Sequence, residues 1–167
     1  LRSDEAAMQE RLTLTERNRQ VHESHDALYV RFLEALTALE LDEARALLNE
    51  YAVCLEGHLE TEERMVMPLF RELHAGLGDT QDPIPTHVEG DHKILRRSLA
   101  KAMATMTSLE QGAWLRRDMV HSLESFLLLR RVQEHHDARE QRLVYPVLDQ
   151  QLDQEQVALL CDALGRP

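Results

Sequence analysis

Apolar residues recur along most of this chain at alternating steps of three and four positions, which is the period of one face of an α-helix. The first such stripe predicts a helix from about Thr15 to Leu39. Residues 1–15 before it are mostly polar and are expected to form an N-terminal arm. The stripe consists of Val21, His25, Leu28, Phe32, Leu36 and Leu39. Its one polar member, His25, is the first residue whose place on an apolar face needs an explanation.

Further helices are predicted downstream, separated by sequences that end helices. Asp42 is the expected N-cap of the second helix, which reaches about His74. The segment AGLGDTQDPIP at residues 75–85 concentrates Gly, Pro and Asp, so it divides the chain into two halves. The third helix is predicted to begin near Pro85. Its core-facing stripe includes His92, Leu95, Leu99, Met103 and Met106.

The last third of the chain predicts one long helix and one short helix. The sequence SLEQ at Ser108–Gln111 has the form of a capping box, and it predicts the start of a fourth helix that reaches about Asp149. Asp153 predicts the N-cap of a short last helix that ends near Gly165. No segment alternates as a strand does. We therefore predict an all-α fold, an up-down antiparallel four-helix bundle with an extra N-terminal arm and a short C-terminal helix. A single domain is expected over the whole chain, with its core at about residues 16–150.

The composition agrees with helices and argues against several kinds of partner. Hydrophobic residues make up 43% of the 167 residues and aromatic residues only 4%, so the core relies on Leu, Ala, Val and Met, which suit helices more than strands. The net charge of -11 argues against binding to nucleic acid or to an anionic membrane surface. No apolar run approaches the length of a membrane span. Two cysteines give no disulfide framework, so a cytoplasmic protein is expected, with a homo-oligomer as one option for its assembly.

One motif, H-x-x-x-E-x-R-x-V-x-P, occurs in each half of the chain at a constant offset of 78 residues. Shared helix periodicity can align apolar positions, but it does not place His, Glu and Pro in step. Within each copy the His and the Glu are four residues apart, so they lie on one face about one turn apart. The proline is expected to kink or end the helix just beyond them. The matched residues are His58, Glu62, Arg64, Val66 and Pro68 in the first copy, and His136, Glu140, Arg142, Val144 and Pro146 in the second.

The first helix of each half adds a histidine in a similar setting. His25 and His92 are each followed by Leu at the third position and by another apolar residue at the seventh. Antiparallel pairing then brings one histidine level with the His and Glu of the next helix in each half. His22 and His87 remain alternatives to these two histidines, or additions to them. The predicted metal ligands are His25, His58, Glu62, His92, His136 and Glu140.

These six residue types in an apolar core point to metal binding. Buried charged groups without a partner cost several kcal/mol each, and a divalent or trivalent ion offsets that cost. Imidazole binds Fe, Zn, Cu and Ni, whereas carboxylates that bridge two ions favour di-iron or di-manganese. Two alternatives stay open. One is a ferritin-like assembly, because Glu89 and His92 form a single E-x-x-H signature, and the other is a structural bundle without metal.

The order, spacing and repetition of these residues, with the two prolines, resemble the hemerythrin-like, or HHE cation-binding, domain family over about residues 20–150. The resemblance implies a four-helix bundle that holds an oxo- and carboxylate-bridged pair of iron ions, with manganese or zinc as substitutes. The histidines would be terminal ligands, and Glu62 and Glu140 would bridge the ions. It implies a small diatomic ligand, oxygen or nitric oxide, in sensing or in an oxidative or nitrosative stress response. The alternatives are iron handling, iron–sulfur cluster repair, or a di-metal peroxidase or oxidase.

The chain also departs from the pattern of the oxygen-carrying hemerythrins. Those proteins have a histidine four positions before the one that matches His92, where this chain has Val88, and they use H-x-x-x-x-D where this chain has His136 and Glu140. Valine cannot bind a metal, so one ion is expected to keep an open position, which favours reaction over reversible carriage. Residues 1–20 contain no cysteine, unlike many relatives involved in cluster repair, which weakens that role.

Overall fold

A computed structural model describes residues 12–76, 84–112 and 116–165 of the chain. This part of the chain is helical and contains no strand, and none of its helices is long and apolar enough to cross a membrane. The predicted N-terminal arm and the breaker segment at 75–85 lie largely outside the described residues. The helices are α1 (Leu14–Thr37), α2 (Leu41–Thr61), a π-helical turn (Glu62–Val66), α3 (Met67–Gly76), α4 (Ile84–Gln111), α5 (Arg116–Leu143), α6 (Tyr145–Gln151) and α7 (Gln154–Leu164).

Four long helices form the bundle. Helix α1 packs along α2, and α4 packs along α5. Contacts of α1 with α5 and of α2 with α4 close the ring. The predicted all-α bundle is confirmed. Helix α7 packs against α1, and Asp153 caps it in a capping box with Gln156, as predicted.

The buried face of α1 differs from the predicted stripe. Val21 and Leu28 are only half-buried. Leu39 lies beyond the end of the helix, is 65% exposed and has a left-handed backbone with φ of 64°. That backbone region costs a residue with a Cβ about 1–2 kcal/mol, so the turn after α1 carries local strain. The buried residues in the helix are Leu14, Asn18, His22, His25, Tyr29, Phe32, Ala35 and Leu36.

Two predicted helix starts are wrong. The residue at the N-cap of α2 is Glu40 rather than Asp42, which lies in the first turn, where its charge still interacts favourably with the helix dipole. Ser108–Gln111 forms the last turn of α4 and does not open a new helix. The Ser108 hydroxyl donates to the Ala104 carbonyl, so the side chain that would have capped a new helix is satisfied within the existing one.

Both halves interrupt a helix next to the proline of the repeated motif. In the first half the π-helical turn Glu62–Val66 lies just before Pro68. In the second half a break at Val144 separates α5 from α6 just before Pro146, so the long helix predicted to reach Asp149 is not continuous. Proline has no N–H, and the carbonyl four residues before it loses its usual donor. The regular helix is therefore interrupted near the site in both halves, at Glu62–Val66 in the first and at Val144 in the second.

Two apolar clusters fill the bundle, and a polar layer separates them. The buried face passes from one cluster to the other through polar residues along α1 and α4, and along α2 and α5 together with the segments that follow them. The first apolar cluster includes Tyr29, Phe32, Leu36, Leu48, Tyr51, Leu55, Leu59, Leu95, Leu99, Phe126 and Leu129. The second apolar cluster consists of Leu14, Val66, Met67, Phe70, Val88, Val144, Tyr145, Leu148, Leu160 and Leu164.

Candidate metal centre

Histidines, carboxylates and amides from all four bundle helices meet in the polar layer. Each of these side chains belongs to a residue that is at most 6% exposed. An ionised group in such a place needs a partner, because the cost of removing it from water is several kcal/mol. The buried polar residues of the layer are Asn18, His22, His25, His58, Glu62, His92, Gln133, His136 and Glu140.

Side chains of this layer form two overlapping groups with the composition of metal sites. Within each group, one nitrogen or oxygen atom from every residue lies within 4.8 Å of those from the others. The two groups share both carboxylates and differ in their histidines. The first ligand group is His22, His58, Glu62 and Glu140, and the second ligand group is Glu62, His92, His136 and Glu140.

Glu62 directs one oxygen to each ligand group. Its Oε1 lies 3.3 Å from His58 Nε2 in the first group. Its Oε2 lies 3.5 Å from His92 Nε2 and 3.8 Å from His136 Nε2 in the second group. Glu62 therefore contributes one oxygen to each ligand group.

Glu140 has the same relation to the two groups. Its Oε2 lies 3.6 Å from His22 Nε2 in the first group. Its Oε1 lies 3.3 Å from His136 Nε2 and 3.9 Å from His92 Nε2 in the second. The repeated His–Glu pair of the sequence thus becomes two carboxylates placed between two pairs of imidazoles.

Several atoms at the centre of the layer have no hydrogen-bond partner although they are buried. They are Glu62 Oε2, His92 Nε2 and His136 Nε2. Buried polar groups in native proteins are usually paired, and each exception calls for an explanation. A metal ion satisfies a carboxylate oxygen and two imidazole nitrogens at once, so the donor set fits a cation.

The structure brings five of the six predicted ligands into the two groups and places His22 where the sequence predicted His25. His25 is buried beside the site, with its ring centroid 5.3 Å from that of His58, and its Nδ1 has no hydrogen-bond partner. It belongs to neither ligand group. His87, the other alternative, is exposed in the first turn of α4. The sequence signal for His22 was its spacing: Leu14, Asn18 and His22 follow one another at intervals of four residues along the buried face of α1.

The polar layer shifts the pKa values of the two carboxyl groups in opposite directions. Burial by itself raises the pKa of Glu62, but the neighbouring imidazoles of His58, His136 and His92 hold it well below its usual value. Burial and the neighbouring charge of Glu62 raise the pKa of Glu140 well above its usual value. Without a cation, the layer therefore accommodates one charged carboxylate more readily than two.

Most of the imidazoles are held in the neutral form that binds metal. Burial lowers the pKa of His22 well below 6.5, and it lowers the pKa of His136 against the opposing effect of Glu62. Burial lowers the pKa of His25 to about 4. For His92, burial acts in the same direction, but the nearby carboxyl groups of Glu140 and Glu62 raise its pKa to about 10. An ion held by the second ligand group would have to displace a proton from His92.

Two uncharged side chains that the sequence did not mark as site residues contact the carboxylates. The Tyr145 hydroxyl donates to Glu62 Oε1 at 2.5 Å, and the Asn18 amide donates to Glu140 Oε2 at 3.5 Å. Tyr145 corresponds to Met67 in the repeat, so repetition gave no signal for it. The hydroxyls of two other buried tyrosines, Tyr29 and Tyr51, bond to the Phe126 carbonyl and to Gln133 and do not contact the carboxylates.

Two surface cavities reach the first ligand group from opposite sides of α1. One, of about 230 Å³, is lined by residues that include His25, His58 and Cys54. The other, of about 430 Å³, is lined by residues that include His22 and Asp137. Cys54 is therefore a half-buried thiol beside the site rather than a core residue.

Comparison with known proteins adds no relative to these observations, since no family model, no curated protein and no solved structure matches the chain. The likeness to hemerythrin-like domains rests on the residues of this chain alone.

Proposed function

We propose that this protein is a non-heme di-iron protein, similar to the hemerythrin-like domains, that binds or reacts with oxygen or nitric oxide. The observation that carries the proposal is the position of Glu62 and Glu140, each with one oxygen directed to each of two histidine pairs. A single ion would use only part of this arrangement. Two ions use all of it.

The donor set favours iron. Each ligand group offers two imidazole nitrogens and two carboxylate oxygens, a mixture that suits iron and manganese better than soft metals bound by sulfur. Helix bundles commonly hold di-iron and di-manganese centres between facing helices. Manganese and zinc are the alternative occupants. A pair of iron ions, when bound, supplies electrons to oxygen or a binding position for nitric oxide.

The chain supplies no further metal ligand one turn before His92. Val88 lies one turn before His92 on α4 and is fully buried in the second apolar cluster. Its side chain has no donor atom, so the protein supplies no further ligand from this position. An open position in an apolar setting favours reaction with oxygen over the reversible binding of a carrier. We place this reaction in sensing or in a response to oxidative or nitrosative stress.

Metal analysis of the anaerobically reconstituted protein tests the proposal. Two iron ions per chain are expected after excess Fe²⁺ is removed, and exposure to oxygen should produce the near-ultraviolet absorption of a ferric pair. The double variant His58→Ala, His136→Ala should hold less than one ion. His135→Ala is the matched control, because His135 is the exposed neighbour of His136. Fewer than one ion in the unmodified protein, or no effect of the double variant, contradicts the proposal.

A second pair of variants tests which histidine of α1 binds metal. His22→Ala should lower the iron content as much as His58→Ala does, because His22 Nε2 lies 3.0 Å from His58 Nε2 and within the first ligand group. His25→Ala should retain two ions. The two histidines are equally buried, so the comparison is matched for the cost of removing a buried imidazole. Loss of iron in His25→Ala alone restores the ligand predicted from the sequence.

A further inference from the structure

His92, an imidazole of the second ligand group, contacts the carboxylate of Glu63 through the ring nitrogen that faces away from that group. His92 is fully buried, and its Nδ1 lies 3.1 Å from Glu63 Oε1. Glu63 follows Glu62 directly, at the start of the π-helical turn. Its side chain is 40% exposed, so it lies at the edge of the polar layer while Glu62 lies inside. Two consecutive carboxylates therefore face the two different nitrogens of one imidazole ring.

Glu63 is itself held in place. Arg96 Nη1 donates to Glu63 Oε1 at 2.6 Å and Arg96 Nη2 donates to Glu63 Oε2 at 3.2 Å. The Nε of the same guanidinium donates to Glu56 Oε1 at 2.6 Å. Arg96 lies one turn after His92 on α4, so one helix presents both the imidazole and the cation. A two-pronged contact of this kind fixes a carboxylate in orientation as well as in position.

The other histidines of the two ligand groups lack such a partner. The Nδ1 atoms of His22, His58 and His136 have no hydrogen-bond partner. The nearest carboxylate to His22 Nδ1 is that of Asp137, at 3.6 Å, which is too long for a hydrogen bond. The interaction behind His92 is therefore a specific feature of the second ligand group.

We infer that Glu63, held by Arg96, is a positioning residue that fixes the ring of His92 for metal binding. This role rests on the proposed function. It involves two residues, Glu63 and Arg96, that bind no metal themselves. Glu63 accepts a hydrogen bond from Nδ1–H and thereby leaves Nε2 as the atom that faces Glu62 and Glu140. Histidines that bind metals commonly donate their other N–H to a carboxylate, which fixes the tautomer and the ring orientation. The ring of His92 is set before an ion arrives.

Metal affinity of full-length variants tests this role. Zn²⁺ and, without oxygen, Fe²⁺ are titrated against a chromophoric chelator. Glu63→Ala should weaken the affinity of one of the two ions about 10- to 100-fold. Glu63→Gln should weaken it less, because the amide oxygen still accepts the Nδ1–H bond. Glu56→Ala is the matched control, since it removes another carboxylate partner of Arg96 that makes no contact with His92, and its affinities should stay within about twofold.

Nuclear magnetic resonance of the Zn²⁺-loaded protein gives an independent readout. In the unmodified protein, one imidazole should show a slowly exchanging Nδ1–H proton. That signal should persist in Glu56→Ala and disappear in Glu63→Ala. Circular dichroism checks that each variant is helical, and Glu63→Gln carries the test if Glu63→Ala does not fold.

The outcomes separate this inference from the proposed function. Two ions bound by the unmodified protein, with equal affinities in Glu63→Ala and Glu56→Ala, overturn the role of Glu63 and leave the proposed function intact. An equal loss of metal affinity in Glu63→Ala and Glu56→Ala also overturns the role of Glu63, because it reflects only the change in overall charge. An unmodified protein that binds no ion contradicts the proposed function and the inference together.

Discussion

The hydrogen bond between Tyr145 and Glu62 offers a direct test of the charge within the polar layer. Tyr145 is fully buried, and its hydroxyl lies 2.5 Å from Glu62 Oε1. Burial, together with the charge of Glu62, raises the pKa of Tyr145 well above 10, so the hydroxyl stays protonated and acts as the donor. The pKa of Glu62 is held low, so the acceptor is an ionised carboxylate. Tyr145→Phe removes the donor and leaves that charge with one contact fewer.

The expected loss of stability in Tyr145→Phe depends on the charge of the hydrogen-bond acceptor. A hydrogen bond to a charged group contributes about 1.5–3 kcal/mol, against about 0.5–1.5 kcal/mol for a neutral pair. We expect Tyr145→Phe to lower the unfolding free energy of the metal-free protein by about 1.5–3 kcal/mol. For a chain of this size that corresponds to a fall in Tm of about 3–12 °C. The metal-free form is used because a bound ion would itself satisfy the carboxylate.

Tyr29→Phe is the matched control for this measurement. Tyr29 is also buried, and its hydroxyl donates to the neutral backbone carbonyl of Phe126 at 2.8 Å. Urea unfolding at pH 7, followed by circular dichroism, gives both free energies. Tyr145→Phe should cost about 1 kcal/mol more than Tyr29→Phe, the difference between the centres of the two ranges. Equal costs, or a larger cost for Tyr29→Phe, would refute the assignment of Glu62 as a charged acceptor.

Three further predictions concern the metal, the open position and the turn after α1. Removal of metal by a chelator should lower the Tm, since an ion present at 1,000 times its Kd stabilises the native state by about 4 kcal/mol; an unchanged Tm counts against a buried site. Val88→His should slow the oxidation of the ferrous protein by oxygen in stopped-flow absorption, whereas Val88→Leu should not; equal rates in all three proteins contradict the open position. Leu39→Gly should raise the unfolding free energy by about 0.5–1 kcal/mol, because glycine relieves the left-handed backbone at φ 64° and Leu39 is 65% exposed. Urea unfolding checks the last value, and Leu39→Ala, which keeps a Cβ, should show no gain.

The sequence determined most of the helical segments and much of the candidate metal site. Three- and four-residue periodicity predicts helices because an amphipathic helix must bury one face. The repeated motif placed His58 with Glu62 and His136 with Glu140, one helical turn apart. Those spacings are local properties of a helix, and they hold wherever the helix packs. The structure accordingly brings these four residues together.

Local sequence rules predicted the wrong helix boundary where one residue pattern was compatible with two different structures. SLEQ has the letters of a capping box, but a serine inside a helix can satisfy its hydroxyl at the carbonyl four residues earlier. Asp42 is a good N-cap residue and also a good first-turn residue. The turn geometry around Glu40 and the strained backbone at Leu39 decided between them. The boundary of a helix depends on where the next helix begins to pack. The residues next to the boundary in the sequence do not contain that information.

Only the tertiary structure decided between His22 and His25. Positions three apart on a helix differ in direction by about 60°, and both lie on the buried side of α1. The rotation of α1 about its axis, set by packing against α2 and α5, brings His22 to His58 and Glu140 and leaves His25 beside them. Tyr145 and Glu63 reached the site in the same way, through contacts between helices that are distant in sequence. A spacing along one helix fixes the direction of a side chain, and the packing of several helices fixes what it meets.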